Sequence, residues 1–158
     1  WDLIRQAWEF YTSGQFVAAV AILDDWLDHS KILVPTSEWA PMQRLPVGQT
    51  MAQANYLWEF AARLAMALQR YWVGDFVVTA KLNGLQNRFL WVDDPRRIPF
   101  LIKYRTEAPD FTFQRQLPAA TLFGNWTDLS TECAAELFQR FDWNPPTAFL
   151  KEIASVFA

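Results

Sequence analysis

Four residues have the types and spacing that can hold a metal ion: Asp24, Asp25, Asp28 and His29. Asp25 and His29 are four apart, which on a helix places both side chains on one face. Three acids at a helix C-terminus also oppose its macrodipole, a small penalty that a cation would relieve. No second histidine exists to complete a typical site, so the cluster reads as a solvated helix end. Neither a metal nor a cofactor is expected. Nucleophilic catalysis through a histidine could use only His29, and no Gly-x-Ser-x-Gly surrounds any serine. The five glycines stand apart at 14, 48, 74, 84 and 124, which leaves no phosphate-binding loop and no dinucleotide fingerprint. Paired carboxylates need no motif, so a small-ligand sensor or a carboxylate-based enzyme stays open as an alternative. No catalytic residue is assigned.

A second kind of chemistry is electrostatic. Lys81, Arg88, Arg96, Arg97, Lys103, Arg105 and Arg115 interleave with Phe89, Trp91, Tyr104 and Phe113. Aromatic platforms flanked by cations are how single-stranded nucleic acids are held without sequence reading. The first six of those cations make the alternative nucleic-acid face. Acids dilute it: residues 73–117 carry seven basic and five acidic side chains, and the whole chain has 14 against 17, net −3. A chain-wide basic footprint is absent, so nucleic acid is not the favoured partner. Asp93-Asp94-Pro95-Arg96-Arg97 reads as a self-paired turn.

The remaining signal is aromatic. Of 158 residues, nine are tryptophan and 13 phenylalanine. Trp8, Trp26, Trp58, Trp72 and Trp143 fall where core or hairpin packing accounts for them, and Trp91 suits a strand. Trp126 has no assigned role. Residues 30–49 form a connector with three prolines and many apolar residues, longer than such connectors usually are. Within it, Trp39 and Met42 are the expected partner-binding residues.

The elements that must position these groups follow from periodicity. Residues 2–29 read as a helical hairpin, with Leu3, Ile4, Ala7, Trp8, Phe10 and Tyr11 at helical spacing. A break follows at Thr12-Ser13-Gly14-Gln15, and then Phe16, Ala19, Val20, Leu23, Trp26 and Leu27 resume it. Tyr11-x-x-Gly14-x-Phe16-x-x-Ala19-Val20-x-x-Leu23 resembles the turn and second helix of a tetratricopeptide unit, over about half of one repeat. The resemblance implies two helices that approach closely at the alanine. No fixed period recurs, so no solenoid is expected.

Residues 50–72 are expected as the long central helix, with Thr50 as N-cap, an apolar face through Leu57, Phe60, Ala61, Leu64, Ala65, Leu68 and Trp72, and a Glu59–Arg63 ion pair. Phe76–Leu82, Asn83-Gly84 and Leu85–Val92 have the form of a two-residue β-hairpin. Ile98–Arg105 alternates and Asp110–Leu117 follows in step. Together these make an antiparallel meander of three or four strands. Ser130 is expected to cap one C-terminal helix and Asn144-Pro145 to open another.

The expected fold is α+β in a single domain over residues 1–158. Residues 1–72 would be helical, with the N-terminal helical hairpin and the long central helix. A β meander would span residues 75–117, and a C-terminal helix pair residues 130–157. Cys133 is alone, which excludes an internal disulfide and favours a reducing, cytoplasmic setting. No signal peptide or membrane span is visible, and no membrane contact is expected. The chain opens on Trp1, so it reads as a processed product, a trimmed chain or a piece of something larger. The favoured function is a non-enzymatic protein-interaction or regulatory module. Its partner would be another protein or another domain of the same protein.

Overall fold

A computed structural model describes residues 6–22, 25, 43–94 and 96–155. The elements run β1 (Gln6–Phe10), β2 (Phe16–Val20), β3 (Arg44–Pro46), α1 (Val47–Leu68), β4 (Phe76–Asn83), β5 (Phe89–Trp91), β6 (Asp110–Leu117), α2 (Ala119–Gln139) and α3 (Thr147–Ser155). The class is α+β, as expected. The order within it is not.

The N-terminal helical hairpin is a β-hairpin instead. β1 pairs antiparallel with β2 from Gln6↔Val20 to Phe10↔Phe16. The break at residues 12–15 is real, but it is a strand turn: Tyr11 N–H donates to Gln15 O at 2.8 Å and Gly14 takes φ +86°, which only glycine adopts at no cost. Phe16-Val17-Ala18-Ala19-Val20 satisfies both a helical and an alternating pattern, and its aromatic and β-branched residues favour the strand. The tetratricopeptide resemblance falls with the helices.

α1 starts three residues earlier than expected. Thr50 is not its cap but lies within the first turn, its hydroxyl donating to Pro46 O at 2.6 Å. The cap comes from 45 residues downstream: the N–H groups of Gly48 and Gln49 donate to Asp93 Oδ1 and Oδ2 at 2.7 and 2.9 Å. A carboxylate there satisfies two orphan donors and complements the positive end of the dipole. A Cβ on Gly48 would stand 2.9 Å from Asp93 Oδ1, so any larger residue there would have to displace the capping carboxylate. The Glu59–Arg63 pair forms, with Arg63 Nε donating to Glu59 Oε1 at 2.9 Å.

The deepest stripe of α1 is Met51, Asn55, Trp58, Ala62 and Ala65. The expected face through Leu57, Phe60 and Leu64 is turned to its side. Small residues decide this, because Ala62 and Ala65 on α1 and Ala134 on α2, all buried, let the two helices approach closely. Asn55 fastens all three helices: Ser130 Oγ lies 2.5 Å from Asn55 Oδ1, and Asn55 Nδ2 donates to Ala154 O at 3.3 Å. Ser130 is therefore no N-cap. It sits fully buried inside α2, which begins at Ala119 and carries Trp126 half-buried against the core. α3 forms where a second C-terminal helix was expected but opens at Thr147, with Pro146 O accepting from Phe149 and Leu150 N–H, so Asn144 does not cap it and Pro145 lies outside its first turn.

The meander is replaced by two separate two-stranded pairs, β4–β6 and β3–β5. β4 does not turn back at Asn83-Gly84; it pairs with β6, Phe76↔Leu117 through Asn83↔Asp110. Gly84 still takes the positive φ that the turn reading demanded (+70°). The chain then leads away to β5, which pairs parallel with β3, Arg44↔Phe89 to Pro46↔Trp91. The expected strand 98–105 is irregular, touching β5 through the single bridge Phe89↔Arg105 and the bond from Leu90 N–H to Tyr104 O, 2.9 Å.

Alternation along β4 and β6 is strict. Val78, Ala80, Leu82, Phe111 and Phe113 face the helices, while Val77, Thr79, Lys81, Thr112 and Gln114 face out. Phe113 meets buried Trp58 edge-on, centroids 5.5 Å apart at 86°. Cys133 lies in the same core. Burial pushes its thiol up to about 12, against the opposing Trp58 indole N–H. At neutral pH it is an inert packing group. No helix among the described residues is long and apolar enough to cross a membrane.

Candidate functional site

The six cations of the alternative nucleic-acid face do not form one surface. Lys81 stands on the outer face of β4, opposite Thr112. Arg88 is 1 % exposed and belongs to the interior. Its Nη1 and Nη2 donate to the two carboxylate oxygens of Asp25 at 2.7 and 2.6 Å, Nη1 also to Arg44 O at 2.9 Å, and Nε to Gly84 O at 2.6 Å. This bidentate pair ties the segment after β2 to the loop before β5. Asp25 thus serves an arginine; Asp24, Asp28 and His29 lie outside the described residues. Among the described residues no group of three or more His, Cys, Asp or Glu could hold a metal.

Arg96 pairs with Asp94 through Nε and Nη2 at 2.9 and 3.1 Å, and Arg97 reaches both Asp94 (3.6 Å) and Glu152 (2.8 Å). The self-paired turn is formed as expected. Hydrogen bonds from Arg96 hold the Asp94 carboxyl down at about 2, with Arg97 adding to the effect. Lys103 and Arg105 do converge. Their charged groups lie 5.2 and 5.7 Å from the centroid of Phe89. Arg44 joins them at 5.9 Å from Phe89 and 4.4 Å from Trp91. It is absent from the cations expected by sequence, because its place beside β5 depends on a parallel pairing that local spacing does not signal.

Beside this turn lies a cleft of about 490 Å³ between the start of α1, residues 92–100 and α3. Its walls are apolar: Val92, Ile98, Phe100, Trp143 and Phe149, with Phe100 and Trp143 edge to face at 4.9 Å. The acids at its rim are already engaged, Asp93 in capping α1 and Asp94 in the arginine pairs. The cleft has the size of a ligand site.

The other exposed feature is aromatic. On the β1–β2 hairpin, Trp8, Phe10, Phe16 and Val20 share one face, set by the register. Trp8 stacks on Phe16 at 6.4 Å, and Phe16 meets Phe60 of α1 at 4.6 Å. The face leans on the body at that corner and is otherwise open: Trp8 is 68 % exposed and Phe10 52 %, with Val20 also exposed. Tyr56, one turn before Phe60, extends the patch along α1 at 59 % exposure. Trp8 and Trp72, both expected in packing roles, are solvent-facing. Trp39 and Met42 lie outside the described residues. A signal for the hairpin surface is present in the sequence: Trp8 and Phe10 alternate with Ala7 and Glu9 just before a Gly14 turn.

No protein-family model, curated protein or solved structure matches the chain.

Proposed function

We propose that the chain is a non-enzymatic protein-interaction module and that the aromatic surface of the β1–β2 hairpin and α1 is where its partner sits. The observation carrying this reading is the solvent-facing row of Trp8, Phe10, Val20, Tyr56 and Phe60. Contiguous exposed apolar surface is costly to keep in water and commonly marks a partner site. Large aromatics are also the side chains that dominate binding energy when they are buried at an interface. Among the described residues neither edge of the hairpin pairs with a third strand, so the ribbon can accept one from a partner. The partner is another protein or another domain of the same protein, presenting an apolar face or an extended strand.

A photo-crosslinking amino acid at position 10 tests this against the same probe at position 81, on the polar outer face of β4. The expected result is a discrete adduct from position 10 in the native host extract, abolished by Trp8→Ser in the same chain. Equal labelling from both positions, or none from position 10, would sink the reading.

A further inference from the structure

The direction of the backbone groups on the β1–β2 ribbon follows from its turn. Tyr11 N–H donates to Gln15 O at 2.8 Å and Gly14 N–H to Tyr11 O at 2.9 Å, which makes Tyr11 and Gln15 a hydrogen-bonded pair. In an antiparallel ladder such pairs alternate with pairs that exchange no bonds. From the register, Glu9–Val17 and Ala7–Ala19 are therefore bonded, whereas Phe10–Phe16, Trp8–Ala18 and Gln6–Val20 are not. The N–H and C=O groups of Phe16, Ala18 and Val20 thus point away from β1, along the outer edge of β2. Among the described residues no third strand takes them. That edge also lacks the usual guards against pairing. Phe16-Val17-Ala18-Ala19-Val20 has no charge, no proline and no bulge, and it is exposed from Val17 onward.

We infer that β2 pairs antiparallel with β2 of a second copy of this chain, about a two-fold axis at Ala18. The outward groups fix the register. Ala18 faces Ala18 of the other copy, and Phe16 faces Val20 of the other copy, each facing pair exchanging both backbone bonds. On one surface of the new sheet this sets an aromatic beside a β-branched side chain, a favourable cross-strand pair. On the opposite surface Val17 meets Ala19, and no charge faces a like charge. The β1 edge suits a copy of itself less well, because a two-fold at Trp8 would bring the two Glu9 carboxylates onto one diagonal. The strand order β1-β2-β2-β1 turns a ribbon that is marginal by itself into a four-stranded sheet, and it lays two aromatic rows side by side. This pairing rests on the reading of the ribbon as a strand acceptor and names the strand it accepts.

Sedimentation velocity of the purified chain between about 1 and about 200 µM tests the pairing, over the range where a small interface associates. The wild type should pass from monomer to dimer and stop there, since an isologous contact closes. Ala18→Pro deletes an outward N–H and leaves the β1–β2 bonds in place, so it should weaken dimerisation by more than about tenfold. Ala18→Lys and Ala18→Glu should each weaken it roughly fivefold at low salt, and a mixture of the two should restore it, because the axis brings position 18 of both copies together. Circular dichroism confirms that each variant is folded; if Ala18→Pro is not, the charge mixture decides. Four results would overturn the pairing: a monomer at every concentration, dimers unchanged in the folded proline variant, no gain on mixing, or growth beyond the dimer. Trp8→Ser should dimerise as the wild type does, because Trp8 lies on β1, away from the seam. A monomeric wild type that still gives the position-10 adduct would remove the second copy and leave the aromatic face as a partner site. A dimer without that adduct would do the reverse.

Discussion

Two antiparallel ribbons in this molecule have nearly the same local make-up and opposite fates. β4–β6 alternates strictly, β1–β2 only along β1, and each gathers aromatic or aliphatic side chains on one face. In β4–β6 that face is covered by α1 and α2, and Phe113 is almost wholly buried. In β1–β2 the corresponding face keeps Trp8 and Phe10 in solvent and meets α1 through the ring contact of Phe16 with Phe60. A two-stranded ribbon is marginal by itself in water. One ribbon is thus held by its core, and the other by a corner contact and whatever lies next to it in the chain. Alternation says which residues share a face, not whether anything covers it.

The largest expected effect tests that contrast directly. Phe113→Ala should lower unfolding stability by about 3–5 kcal/mol, whereas Trp8→Ala should change it by no more than about 0.5 kcal/mol. Denaturant titration of the two variants measures both, and comparable losses would erase the distinction. Next in size is Arg88→Leu, which leaves the Asp25 carboxylate without its two guanidinium donors in a partly buried setting. A loss of about 2–4 kcal/mol is expected. Hydrogen exchange should show β1–β2 amides losing protection in this variant before β4–β6 amides do; simultaneous loss would mean the salt bridge serves the whole core. The smallest effect belongs to Phe16→Ala, about 1 kcal/mol from the ring contact with Phe60. Its signature is local, a faster-exchanging hairpin above an unchanged global midpoint. A shifted midpoint with an unchanged hairpin would show that the corner contact is not what seats the ribbon.

What the sequence made legible follows the same division. α1, β4, β6 and α3 could be read because each has one periodicity and a covered face to match. The N-terminal segment could not, because Phe16-Val17-Ala18-Ala19-Val20 is apolar at nearly every position and fits either period. Asn83-Gly84 carried correct local information, a positive φ at Gly84, and still misled. The strand after it found a parallel partner 45 residues upstream, and no dipeptide encodes that choice. Ser130 looked like a helix start since a serine before an apolar run usually is one; inside α2 its hydroxyl lies against Asn55 instead. Arg88 looked like a surface cation, although its place within Leu85–Val92, beside buried Phe89 and Leu90, was a hint that it points inward. For the site, the cation count was readable and its geometry was not. Lys103 and Arg105 meet only where the chain returns to β5, and Arg44 reaches them only through β3.

The cap on α1 also sets an order of events during synthesis. Gly48 and Gln49 wait for Asp93, and Asn55 waits for Ser130 and Ala154, so the central helix is synthesised before the groups that define its start and its neighbours. At ordinary elongation rates the interval from residue 48 to residue 93 is roughly 2–9 s. For that time α1 is an apolar helix with frayed first amides and no α2 to lie against. The nascent chain is therefore most exposed to wrong association before its second half is made, and its native start is fixed from behind.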